Sequence, residues 1–216
     1  MDKYITSFCD EFGEPEKVNP PDNEYVESYR GILPEALLEY WKRFGFCAFM
    51  DGLFWIVDPK DYAEMLENWI ERSPLSGTKE NLYVIARSGY GDLYLWGEKS
   101  GCRYEINAMN GWIIKSDDQE QDQEKELQLF FASKSPYSID IEDEDSDEEM
   151  FEPAVEKFGP LAEDEIFGFV PALVAGGNML FENLQKVNMA VHLDLILQLK
   201  DPQLVGPDDL ANMAFS

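Results

Sequence analysis

Carboxylates dominate the reactive groups of this chain: 44 Asp and Glu stand against 17 Lys and Arg and a single His, for a formal net charge of −27. They are concentrated in two places. The stretch from Asp117 to Glu126, with Asp117, Asp118 and Asp122, contains no apolar residue. Ser138–Glu149 (SIDIEDEDSDEE) carries Asp140, Glu142, Asp143, Glu144, Asp145, Asp147, Glu148 and Glu149. Three chemistries use carboxylates in this way. A calcium loop wants regularly spaced oxygens and a Gly at its sixth position, which this block lacks. Acid–base hydrolysis needs two carboxyls at a set separation, but among so many acids any two can lie close, so their abundance says nothing. The third chemistry is electrostatic: a solvated acidic surface that attracts a cationic partner.

Other reactive constellations are scarce. His192 sits between Val191 and Leu193 in a helical pattern, the place of a structural histidine, and any Ser-His or Cys-His site would have to use it. Gly89-Tyr90-Gly91 lacks the third glycine and the following helix of a dinucleotide loop, so a β-turn explains it better. No G-x-S-x-G elbow or phosphate loop occurs. Three scattered cysteines (Cys9, Cys47, Cys102) and one imidazole do not make a zinc site. The sequence therefore calls for no catalytic residue, no metal and no cofactor. Tyr94, Trp96 and Trp112 have the spacing to line an aromatic surface, but strand spacing favours core packing.

The charge balance argues against direct binding to nucleic acid or an anionic membrane, because phosphate neutralisation needs a basic patch. Cys9 and Cys47 in apolar surroundings suit reduced thiols. The N-terminus has no basic stretch followed by an apolar one, and no run approaches the ~18 apolar residues of a membrane span. The expected location is the cytoplasm.

Around these acids the chain reads as α+β, with N-terminal helices and a hairpin packed on a central antiparallel meander, followed by C-terminal helices. Leu82–Lys115 is the meander: strands at Leu82–Arg87, Asp92–Trp96, Cys102–Ala108 and Trp112–Lys115, with Asn110-Gly111 a strong hairpin signal. Before it, helices are expected over Asp2–Phe12, from Pro34 to Gly45, and from Asp58 past Ile70, with a hairpin turning at Asp51-Gly52. Leu127–Ala132 is a strand or a buried helix turn. Leu161–Ala175 reads as a helix kinked at Pro171. Asn183–Lys200 reads as a helix burying Leu184, Val187, Val191, Leu195 and Leu199. Asp208–Ser216 is a short helix or a tail. The implied organisation is a domain over 1–116, an acidic connection over 117–150 and a helical domain over 151–216, packed on the first as one globule.

Several segments carry a family resemblance. In the N-terminal half they are Glu11-Phe12-Gly13-Glu14-Pro15, Leu33-Pro34 through Leu37-Leu38 to Tyr40-Trp41 and Gly45, Asp51-Gly52-Leu53-Phe54-Trp55 with Val57-Asp58-Pro59 and Asp61-Tyr62, then Ala86-Arg87-Ser88, Gly91-Asp92-Leu93-Tyr94 and Trp96-Gly97-Glu98. This half resembles the GAD-like domain. In the C-terminal half, Asp164 through Phe167-Gly168-Phe169-Val170-Pro171 to Leu173, Gly176-Gly177, Leu184 with Lys186-Val187, and His192-Leu193 through Leu199 are similar to the domain that follows it in immunity proteins of type VI secretion DNase toxins. The meander behind N-terminal helices also resembles the SMI1/KNR4-type superfamily.

The resemblance implies a non-enzymatic antitoxin that neutralises a cognate basic nuclease as a one-to-one heterodimer. The acids named above would meet the toxin's active site or DNA-binding surface. Two other readings stay open on sequence alone, an interaction scaffold unrelated to toxins and a carboxylate-based hydrolase. If the 140–149 block is solvated, changing Asp140, Glu142, Asp143, Glu144 and Asp145 to Ser should slow association while leaving thermal stability nearly unchanged.

Overall fold

The computed structural model describes residues 2–15, 18–117 and 120–214. Three helices come first: α1 (Lys3–Phe12), α2 (Asn23–Ser28) and α3 (Glu35–Phe44). Asp2 caps α1, accepting from Tyr4 N and Ile5 N at 2.9 Å. The linker at Pro20–Pro21 leads straight into α2, capped by Asp22. Gly45 ends α3 at φ 72°, and a Cβ there would lie 2.2 Å from the Asn19 backbone, so only Gly fits.

A short hairpin follows, β1 (Cys47–Phe49) and β2 (Phe54–Ile56), joined through the tight turn Met50–Gly52. Asp58 caps the 3-10 turn Pro59–Tyr62, which runs into α4 (Ala63–Glu71). The meander is β3 (Leu82–Ser88), β4 (Leu93–Gly97), β5 (Tyr104–Asn107) and β6 (Trp112–Lys115), antiparallel throughout. Beyond it come α5 (Gln123–Ser133), α6 (Pro136–Ile139), α7 (Phe151–Phe158), β7 (Glu165–Phe169), β8 (Leu184–Asn188), α8 (Met189–Leu199), β9 (Gln203–Val205) and α9 (Pro207–Ala214).

The architecture is α+β, and the meander is its centre. The main sheet runs β1-β2-β3-β4-β5-β6-β9. Its last strand arrives from the C-terminal part and pairs in parallel with β6, Ile113 opposite Leu204. A separate antiparallel pair is made by β7 and β8. Side chains alternate across β4. Tyr94 and Trp96 face one core layer with α1, α3, α5 and α7, while Leu93 and Leu95 face another with α4 and α8. Tyr94 and Trp96 are therefore core residues, and Trp112 is half-buried.

Two segments differ from their sequence reading. Leu161–Ala175 is not a helix: Glu165–Phe169 is β7, and only Leu173–Ala175 makes a 3-10 turn. The acids Glu163, Asp164 and Glu165 imitate a helix start, but a run of Phe and Ile around Gly168 suits a strand. A Cβ on Gly168 would sit 2.9 Å from His192 Nε2, so this strand needs Gly where α8 crosses it. Asn183–Lys200 divides into strand β8 and helix α8, with Asn188 accepting from Val191 N at 3.1 Å as the cap. The buried face of α8 is Met189, His192, Leu193, Ile196 and Leu197, while Val191, Leu195 and Leu199 point outward. The C-terminal part is thus mixed rather than all-helical. Leu127–Ala132 lies inside α5, with Leu127 and Phe131 buried.

Candidate interaction surface

The acidic positions read from the sequence separate into structural and free carboxylates. Asp117 is exposed, 3.9 Å from Lys115 Nζ, and Asp118 lies outside the described residues. Asp122 caps α5, accepting from Glu124 N at 3.1 Å and Lys125 N at 3.3 Å. Its neighbour Glu124 reaches across to α3, where Pro34 supplies no side-chain cap. Its two carboxylate oxygens accept from Glu35 N at 2.7 Å and Ala36 N at 2.9 Å, satisfying two orphan donors of that helix end.

The 140–149 block is a folded loop rather than a solvated strand of charge. Asp140 accepts from the Tyr90 hydroxyl at 2.5 Å, from Ile141 N at 2.8 Å and from Phe151 N at 3.1 Å. Burial pushes its carboxyl above the ordinary range, and the hydrogen bonds from Tyr90 and the backbone pull back. Asp143 accepts from Phe181 N at 2.6 Å, Asp145 N at 2.9 Å and Ser146 N at 3.1 Å. These backbone donors, Phe181 foremost, hold it below the usual carboxylate range. Glu142 and Glu149 pair through their backbones, and Glu144 N donates to Met179 O at 3.0 Å. Asp140 and Asp143 therefore belong to the architecture, which corrects the expectation that replacing the block leaves stability unchanged. Their acceptor sites are occupied by donors of the fold itself.

Glu142, Glu144, Asp145, Asp147, Glu148 and Glu149 remain exposed. Among the described residues none of these six has a cation within ion-pair distance. Four of them, Glu142, Glu144, Asp147 and Glu149, line a concavity of about 400 Å³ together with Tyr137 and Met179. Tyr137 is 73% exposed, an aromatic side chain left in solvent beside unpaired negative charge. That combination of a free aromatic ring, a thioether and uncompensated carboxylates is what a contact with a basic protein surface uses.

Chemistry elsewhere is sparse. His192 is buried on α8, and burial pushes its pKa down; among the described residues no side chain hydrogen-bonds to it. Cys9, Cys47 and Cys102 are unpaired, with the Cys47 thiol pushed up to about 12 by burial. Among the described residues no group of three or more His, Cys, Asp or Glu is placed to hold a metal, and no helix is long and apolar enough to cross a membrane.

One polar cluster escaped the sequence reading because its members are far apart along the chain. Asp92 accepts from Ser88 Oγ at 3.0 Å and Asn107 Nδ2 at 3.1 Å. Glu105 lies 4.0 Å from Lys134 Nζ, which sits 4.0 Å above the Tyr94 ring. Burial raises Asp92 to about 6 and Glu105 to about 7, and it lowers Lys134. Glu105 thus pairs with this ammonium directly, and Asp92 interacts with it electrostatically from farther away.

A family model described as the GAD-like domain matches residues 3–110, from α1 through β5. The chain belongs to the GAD-like domain family. A second model, T6SS immunity protein Tdi1, C-terminal, matches residues 124–200, from the start of α5 through α8, so the GAD-like part is joined here to an immunity-protein domain. The acidic loop, Tyr137 and α8 all fall within that second match. No curated protein matches the chain. Among solved structures, the crystal structure of Atu4351 from Agrobacterium tumefaciens superposes with a TM-score of 0.79 at 18% identity, over 96% of this chain and 93% of that one. At that identity the likeness shows a shared fold over nearly the whole of both chains.

Proposed function

We propose that this GAD-like protein is a cytoplasmic immunity protein that binds and neutralises a cognate type VI secretion nuclease. The observation that carries this reading is the unpaired acidic rim around Tyr137, which lies inside the segment matched by the Tdi1 immunity model. A nuclease must hold phosphate with Lys and Arg, so its active face is basic. The free carboxylates at 142–149 would stand where substrate phosphates stand, and Tyr137 and Met179 would supply packed contact within the charged ring. Charge sets the speed and selectivity of encounter, and the apolar contacts set residence time. The same acidity disfavours direct binding of DNA or RNA, which supports contact with the nuclease rather than with its substrate. The reading calls for no turnover by this chain and for one copy of each protein in the complex.

The test is co-purification with the product of the adjacent gene, followed by a DNase assay of that product with and without this chain. A one-to-one complex and loss of nuclease activity at equimolar ratio are expected. Full DNase activity in the presence of excess protein would overturn the proposal.

A further inference from the structure

Among the described residues, the outer face of α8 has no packing partner. Val191, Leu195 and Leu199 recur every fourth residue and are 69%, 44% and 50% exposed, while the opposite side of the same helix is buried in the core layer it shares with α4. A helix apolar on both sides is normally covered on both sides, and a contiguous exposed apolar stripe on a globular protein marks an interaction site. One flank of the stripe is a groove of about 310 Å³ between α8 and α4, lined by Asp61, Glu64, Asn68, Ala190 and Asp194. It contains acids and no cation: nearby Arg72 is engaged by Asp201 at 2.6 Å, and Lys200 donates to Asn110 O at 3.1 Å. The acidic loop at 140–149 belongs to the opposite core layer, through Ile139 and Met150. The stripe is therefore a separate surface.

The charge selects the occupant. A second copy would bring −27 against −27 and set Asp61, Glu64 and Asp194 against acids of the same face. We infer that the Val191–Leu195–Leu199 stripe is a second docking surface for the nuclease, taking an amphipathic segment whose apolar side chains cover the stripe and whose Lys or Arg reach Asp194 and Glu64. This rests on the immunity reading and deepens it. The acidic loop covers the basic active face, and the α8 stripe anchors the complex elsewhere on the toxin.

The test compares the full chain with V191Q/L195Q/L199Q and with E64K/D194K, measuring binding kinetics to the purified nuclease. Gln is a good helix former, and the three positions are solvent-facing, so far-UV circular dichroism and melting should match the parent. The Gln triple is expected to dissociate at least 100-fold faster, and the charge reversal to associate at least 5-fold more slowly in low salt. Wild-type kinetics for both variants, with inhibition of the DNase intact, would overturn this inference and leave the immunity reading standing. A parent chain that neither binds nor inhibits the nuclease would overturn the immunity reading and this surface with it. Sedimentation of the parent as a dimer that L195Q makes monomeric would assign the stripe to self-association and overturn the proposal.

Discussion

Acidic residues adjacent in sequence do opposite jobs. Asp140 and Asp143 turn their oxygens inward to backbone and hydroxyl donors, while Glu144, Asp145, Asp147 and Glu148 just beyond them face solvent. Asp140→Asn keeps the size but weakens the acceptor for Tyr90 and Phe151 N, while Asp140→Ala removes it. Because Tyr90 is buried, its stranded hydroxyl should cost about 1–3 kcal/mol, read as a lower urea midpoint with an unchanged m-value. The combined variant Glu144→Ser, Asp145→Ser, Asp147→Ser and Glu148→Ser should melt with the parent, since exposed like charges contribute little. It should instead bind the nuclease with a slower association rate in stopped flow. A large loss of stability there would mean that the free carboxylates also hold the loop. Composition shows the acids, but which of them face inward depends on Tyr90 and Phe181 arriving from distant segments, and no local pattern encodes that.

At the level of elements, short-range signals were legible and two-sided ones were not. Asp58 as a cap, Gly45 as a stop and Asn110-Gly111 as a turn each act within a few residues, and each stands where the sequence placed it. The start of α3 is different: Pro34 gives it no side-chain cap, and the donors are taken by Glu124, 88 and 89 residues away in sequence. Glu124→Ala should therefore destabilise the fold by about 1 kcal/mol, as an ordinary N-cap loss does, although Glu124 looks like one more surface acid. A thermal shift of about 2–4 °C would register it, and no shift would mean that water replaces the carboxylate. The reading of α8 failed for a related reason. Apolar residues occupy both sides of that helix, so periodicity found a genuine stripe but could not know which one the β7–β8 pair and α4 would bury. Packing chose Leu193, Ile196 and Leu197 with Met189. For β7, three consecutive acids imitated a helix N-terminus, and only pairing with β8 decides in favour of strand. The candidate site was legible as an acidic block; its aromatic centre, Tyr137, was not, because exposure cannot be read from a residue type that is usually half-buried.

For the whole molecule, net charge and the buried cluster on the meander act in the same direction with pH. Asp92 and Glu105 have folded-state values of about 6 and about 7, above those of the unfolded chain. The folded state therefore binds protons more tightly. The resulting stabilisation is fully present below about pH 4, where both groups are protonated in either state, and is lost as pH rises through 6 and 7. Lys134, lowered by burial, gives back part of this by partly neutralising the pair. General repulsion among 44 acids also relaxes on acidification. The two contributions separate by salt and by mutation: general repulsion is screened over about 8 Å at physiological ionic strength, whereas buried neighbours are screened much less. In 0.5 M salt, the melting temperature of the parent should still rise as pH falls from 8 to 5.5. Glu105→Gln, which removes one of the two buried acids that interact electrostatically with Lys134, should stabilise the protein at pH 8 by about 2–4 °C, an amount corresponding to roughly 1 kcal/mol in a chain of this size. It should also flatten the rise on acidification. A Glu105→Gln profile parallel to that of the parent would show that the pH response comes from the surface charge alone. Because the acidic loop lies on exposed carboxylates with ordinary solvent access, nuclease association should keep its salt sensitivity in Glu105→Gln, so a change in association rate with that variant would mean that the meander cluster and the loop are electrostatically linked.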